Sequence, residues 1–268
     1  MDKIGLIAGN RKFPLLFAEA AKKKGYYVVA AGVKGDTCAK LSKMVDKMHW
    51  LNLADFPKIP DIFKEEGING AVMAGQISPR RLFSKEVLNN AALKEFLGQM
   101  QDRKPGTIFS DIVKNFETSG LKILDSTTFL EDYLPKTGRL TKNEPTSKEW
   151  EDVYFGLELA REMANLDVGQ TVAVRNKAIV AVEGLEGTDN LIKRAGKLVR
   201  HGIVVVKVSR PKQDMRFDIP VVGLNTVKSL IKAGAKCLAI ESGKTLFIDK
   251  AESVSLAERK GIAIVAVS

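Results

Sequence analysis

Short apolar runs alternate with amphipathic stretches along the first half of this chain. Residues 3–8 are apolar and stop at Gly9, and residues 13–24 repeat apolar positions at helical spacing. Residues 26–33 are apolar again and close on Lys34-Gly35-Asp36. The same alternation predicts a helix over 59–66, a buried strand over 70–74 ending in Gly75-Gln76, helices over 88–100 and 108–118, and a strand over 121–124. Strands that are apolar throughout and separated by amphipathic helices predict a parallel sheet covered on both faces.

The pattern then breaks. Residues 135–147 hold two prolines and a glycine without apolar periodicity and read as a linker between domain 1–134 and domain 148–268. Residues 148–165 predict a long amphipathic helix. The runs 171–175 and 178–182 flank Asn176-Lys177 and predict a hairpin. Helices over 190–200, 226–233 and 251–260 and strands over 203–208, 237–240, 245–248 and 262–267 complete the chain. The fold class is α/β: a Rossmann-like parallel-sheet domain followed by a distinct C-terminal α/β domain.

Composition narrows the partners. A hydrophobic fraction of 45% and a charged fraction of 28% are those of a soluble globular protein. The first eight residues lack a basic flank and long apolar run and read as a strand, so a cytoplasmic protein is expected. Cys38 and Cys237, with only two histidines, form no metal set and read as free thiols. The formal charge of +10 admits nucleic acid, an anionic membrane face or a phosphorylated substrate. Aromatic residues make up 7% and do not interleave with basic ones, which argues against nucleic acid.

Candidate chemistry collects where strands end. Gly5-Leu6-Ile7-Ala8-Gly9-Asn10 lies at a strand-to-helix junction able to hold phosphate, with Asp36 near the place of a ribose-binding acid. The three-glycine dinucleotide spacing is not met, so a nucleotide, a sugar phosphate and a purely structural turn stay open. Glu183, Glu186 and Asp189, around Gly187-Thr188, are either oxygen ligands for Mg²⁺ or acids at the positive end of a capped helix. Lys207, Arg210, Lys212 and Arg216, interleaved with Asp214 and Asp218, are either a solvated loop or a charge-compensated site for phosphoryl chemistry.

The succession Leu166–Gln170, Ala181–Asp189, Lys193-Arg194-Ala195-Gly196 and Gln213–Pro220 resembles the LpxI family, the UDP-2,3-diacylglucosamine pyrophosphatases of lipid A biosynthesis. Gly5–Gly9, Val72–Gln76 and Glu241-Ser242-Gly243-Lys244-Thr245 fit as well. The resemblance implies hydrolysis of UDP-2,3-diacylglucosamine to UMP and lipid X, Mg²⁺ dependence, and substrate held between two domains. The basic balance of charge would help such an enzyme meet the anionic cytoplasmic face of the inner membrane as a peripheral protein, and a homodimer stays open. The family's essential aspartate maps to Asp218 first and Asp214 second, with Lys207 and Arg216 as the cations. The expected substrate contacts are Gly9, Asn10, Gly75, Gln76, Gln170, Gly187 and Thr188, and the expected metal ligands Glu186, Asp189 and Asp218. The chain departs from the family pattern at Asn10-Arg11 and at Pro105-Gly106, where an acidic pair is usual.

Overall fold

The computed structural model describes residues 1–75, 105–211 and 213–268, so the helix expected over 88–100, Gln76 and Lys212 lie outside the described residues. The chain divides into two compact units, one of Met1–Glu131 with Met215–Asp218 and one of Asp132–Asp214 with Ile219–Ser268. Among the described residues, no helix is long and apolar enough to cross a membrane.

The first unit is a five-stranded, wholly parallel sheet of β1 (Lys3–Ala8), β2 (Tyr27–Val33), β3 (Lys47–Leu51), β4 (Gly70–Ala74) and β5 (Lys122–Leu124), in the order β3-β2-β1-β4-β5. It carries α1 (Phe13–Lys23), α2 (Ile59–Glu65) and α3 (Pro105–Thr118). Central strands are buried on both faces, which is why β1 after its exposed Lys3, β2 and β4 are apolar. Gly5 works inside β1, because a Cβ there would lie 2.7 Å from the Phe63 ring and 2.8 Å from Ala71 Cβ. Its role in the strand is helix–sheet packing.

The second unit is a six-stranded mixed sheet. β9 (Val204–Lys207), β11 (Cys237–Glu241) and β13 (Ala263–Val267) are parallel, while the hairpin β7 (Thr171–Arg175) and β8 (Ala178–Val182) and the short β6 (Gly138–Arg139) run antiparallel. Side chains of β9 alternate: Val205 packs under α5 (Thr188–Val199), α6 (Leu224–Lys232) and α7 (Lys250–Arg259), whereas Val204 and Val206 face α4 (Ser147–Asn165). The hairpin turn holds Asn176 at φ 52° and Lys177 at φ 56°, and the buried Asp152 carboxylate of α4 accepts both of their N–H groups at 2.9 and 2.6 Å.

Residues 135–147, which read as a linker, are bound into this sheet. β6 pairs with β13, and Thr141 Oγ1 accepts the Ile264 N–H at 2.9 Å. The strand expected over 245–248 is the shorter β12 (Leu246–Phe247), which pairs in parallel with β10 (Val221–Val222) outside the main sheet.

Candidate functional site

In the first unit the strand order reverses between β1 and β4, and parallel sheets bind ligands outside the carboxyl ends of their strands at such a reversal. Backbone forms that crevice. Gly9 N donates to Ala74 O at 2.8 Å, and Gly75 takes φ +86° with its Cα so close to the neighbouring chain that a Cβ would lie 2.5 Å from Asn10 O. Phe56, Met73 and Phe109 give it apolar walls. The buried Asn10 Oδ1 has no hydrogen-bond partner, leaving an acceptor at the strand end. Thr37 secures the adjoining β2 turn by donating to Ala8 O at 2.6 Å and accepting from Val33 N at 2.9 Å.

A segment from far along the chain completes this unit. Ser126 N donates to Met215 O at 2.8 Å, and Ser126 Oγ lies 2.7 Å from both Met73 O and Arg216 O. The Phe217 ring stacks on Phe109 with centroids 5.7 Å apart, and Arg216 pairs with Glu117 at 2.8 Å. Asp218, next along, therefore belongs to the first unit, one residue from a ring stacked on the crevice wall. Asp214 belongs to the second. Sequence reasoning treated residues 207–218 as one cluster; the structure divides it after Asp214.

The second unit gathers its polar groups where β7, β8 and β9 meet the start of α5. Lys207, 4% exposed, donates through Nζ to Thr188 Oγ1 at 2.6 Å. The Thr188 hydroxyl donates to Glu183 Oε1 at 2.9 Å and lies 3.3 Å from Thr171 Oγ1. The single hydroxyl proton is thus committed to Glu183, and the oxygen lone pairs face the ammonium. Gly169 lets the preceding loop close on this group, since a Cβ there would stand 2.0 Å from Glu183 O. Gly187, at φ +80° with nothing within 4 Å of a Cβ, turns the chain into α5.

Three acceptors in this region are buried without a hydrogen-bond partner: Gln170 Oε1, Glu183 Oε2 and Asp189 Oδ1. Unmatched hard oxygens, two of them from carboxylates, suit a divalent cation that takes its remaining ligands from water or phosphate. Asp189 of the expected metal ligands is among these three. Glu186 is held by Arg194 at 2.6 Å, and that hydrogen bond keeps its carboxyl below the usual range. Asp218 lies in the other unit, and among the described residues no three His, Cys, Asp or Glu side chains stand together as a metal cage.

Another buried carboxylate, Glu241 at the end of β11, had drawn attention only as part of a motif. It accepts Ser209 N at 2.8 Å and faces Lys244 at 3.1 Å and Arg161 at 3.7 Å. The signal that could have found it is an acid closing an otherwise apolar strand.

These features define a two-domain α/β protein whose first domain offers a backbone-lined crevice and whose second buries a lysine–threonine–glutamate chain. Models of the LpxI N-terminal domain and the LpxI C-terminal domain match residues 3–133 and 136–265. The chain belongs to the LpxI family. It is 26% identical to the UDP-2,3-diacylglucosamine pyrophosphatase LpxI of Caulobacter vibrioides, an alignment covering 100% of this chain and 98% of that protein. Among solved structures it is similar to the biotin carboxylase subunit of pyruvate carboxylase (13% identity, TM-score 0.29, 75% of this chain and 42% of that one). A phosphoribosylglycinamide synthetase from Anaerococcus prevotii matches at 11% identity and TM-score 0.26, over 67% of this chain and 38% of that one. The chain spans less than half the length of either structure.

Proposed function

We propose that this chain hydrolyses the pyrophosphate linkage of UDP-2,3-diacylglucosamine to UMP and 2,3-diacylglucosamine 1-phosphate (lipid X), at the cytoplasmic face of the inner membrane. The full-length similarity to a relative named for that activity supports the reading. The observation that carries it is Lys207, a buried ammonium fixed by Thr188 at a strand end. Such a cation stabilises charge developing on phosphoryl oxygens without rearranging first. Arg216 is a second cation; its partner Glu117 is 40% exposed, and an exposed pair is weak enough to exchange for phosphate.

Glu183 and Asp189 would hold Mg²⁺ through their unmatched oxygens, with Gln170 as a neutral third ligand. Held by these oxygens, Mg²⁺ would supply withdrawal of charge from the pyrophosphate. Asp218 takes the proton of the attacking water as its oxygen bonds to phosphorus and the bridging P–O bond breaks; Asp214 is the second choice for that role. The test is UMP release from UDP-2,3-diacylglucosamine with Mg²⁺ and with EDTA. Turnover is expected only with metal, falling about 10²- to 10⁴-fold in Asp218→Ala and about 10²- to 10³-fold in Lys207→Met. Turnover that survives Asp218→Ala moves the base to Asp214. Substrate bound by the wild type without turnover refutes the reaction and leaves a binding protein.

A further inference from the structure

Glu241 is 7% exposed, and no step of the proposed reaction uses it. A buried carboxylate is tolerated where its oxygens are matched, and here both are. Oε2 accepts the Ser209 N–H at 2.8 Å, while Oε1 faces Lys244 Nζ at 3.1 Å and Arg161 Nη2 at 3.7 Å. Glu183 differs, since its Oε2 is unmatched and suits a cation. What is left for Glu241 is to hold the backbone it touches.

That backbone is the end of β9. The strand stops at Lys207, whose ammonium meets Thr188, and strand ends open more readily than strand interiors. Pairing with β11 ends at the same residue, opposite Ile240. Side chains and loop carbonyls take over from there. Val208 N donates to Gln170 O at 2.9 Å, just ahead of β7, and Ser209 N donates to Glu241 on the β11 side. The carboxylate thus stands in for a strand carbonyl and places Lys207 inside the fastened stretch. The turn that follows starts from a fixed point, with Ser209 Oγ and Arg210 N at 3.0 and 2.6 Å from Gln213 Oε1. Glu241 meets Arg161 of α4, whereas Lys207 meets Thr188 of α5 on the opposite face of the sheet. The carboxylate therefore acts on Lys207 through the backbone.

We infer that Glu241 is a positioning residue, fastening the end of β9 so that Lys207 meets the charge developing on the pyrophosphate; this rests on the proposed reaction. A fixed cation works because it need not move first, and a misplacement of about 1 Å costs about 10²-fold. The experiment is UMP release against substrate concentration, with kcat and KM separated and melting temperatures alongside. Glu241→Gln keeps the acceptor and loses the charge, and Glu241→Asp keeps the charge and draws back by a methylene. Glu241→Ala and Glu241→Asp are expected to lose about ten- to a hundred-fold in kcat, with KM within about threefold. Glu241→Gln should stay within about threefold of wild type in both. In a Lys207→Met background, Glu241→Ala should add less than about twofold, because no ammonium remains to be misplaced. Should Glu241→Ala fail to fold, the Asp and Gln variants decide. An active Asp variant beside an impaired Gln variant would overturn the role, since charge would then be what matters. Losses that multiply with Lys207→Met, a change in KM alone, or full kcat in Glu241→Ala would overturn it while the reaction stands. A wild type that releases no UMP removes the reaction and the positioning role together.

Discussion

The two sheets end in different chemistry. At the carboxyl ends of β1 and β4 the first unit presents backbone, two glycines and apolar walls, with the unmatched Asn10 Oδ1 beside them. At the ends of β7, β8 and β9 the second unit presents buried charge: Lys207 and Glu183 meeting through one threonine hydroxyl. A wholly parallel sheet with a strand-order reversal provides a cleft by topology, so its residues need only stay out of the way. A mixed sheet without that opening must build its site from side chains, and each buried ion then needs a partner. Substitutions at the crevice should therefore fail by shape, and those in the lysine–threonine–glutamate chain by charge.

Gly75→Ala is expected to weaken the fold more than Gly187→Ala or Ser126→Ala. A Cβ there meets a backbone oxygen at 2.5 Å and sits at φ +86°, so Gly75→Ala should cost about 3 kcal/mol or more. Gly187→Ala, at a similar φ of +80° but in open space, should cost about 1 kcal/mol. Urea denaturation of both separates collision from conformation, and equal losses would erase the contrast. Next comes Ser126→Ala, which takes a hydroxyl from the Met73 and Arg216 carbonyls and should cost about 1–2 kcal/mol in the same measurement.

The smallest effect is electrostatic. The Arg194 hydrogen bond holds the Glu186 carboxyl below its ordinary value of 4.5. A depressed carboxylate adds stability above that unfolded value and loses it as pH falls through the folded one. Glu186→Gln should thus cost a few tenths of a kcal/mol at neutral pH, given the pair's exposure, and the cost should shrink as pH falls below 4.5. A pH series of melting temperatures that stays parallel for the two proteins would show that the pair carries no weight.

The fold was legible wherever burial is symmetric. β1, β2, β4, β9 and β11 are apolar but for a charged residue at one end of β1, β9 and β11, because both faces are covered, and Asn176-Lys177 marks its turn in the local sequence. β3 escaped notice because Lys47-Met48-His49-Trp50-Leu51 is half-buried along most of its length, and β6 because two residues in a polar stretch carry no period. At the sites, strand ends pointed to Lys207, Thr188 and Gly75. Nothing local could show that Thr188 commits its proton to Glu183, that Arg194 occupies Glu186, or that the chain leaves the second unit for four residues. Those facts depend on contacts between residues far apart in sequence.

That excursion has a consequence for synthesis. When residue 131 has left the ribosome, every strand of the first sheet has been made, yet Ser126 still lacks the carbonyls of Met215 and Arg216 and Phe109 lacks its stacking partner. Domains usually mature in the order in which they are translated. Here the earlier one waits for a piece encoded well inside the later one, and the aspartate proposed as the base arrives with it. A chain cut short before residue 215 would carry the whole parallel sheet and no such aspartate.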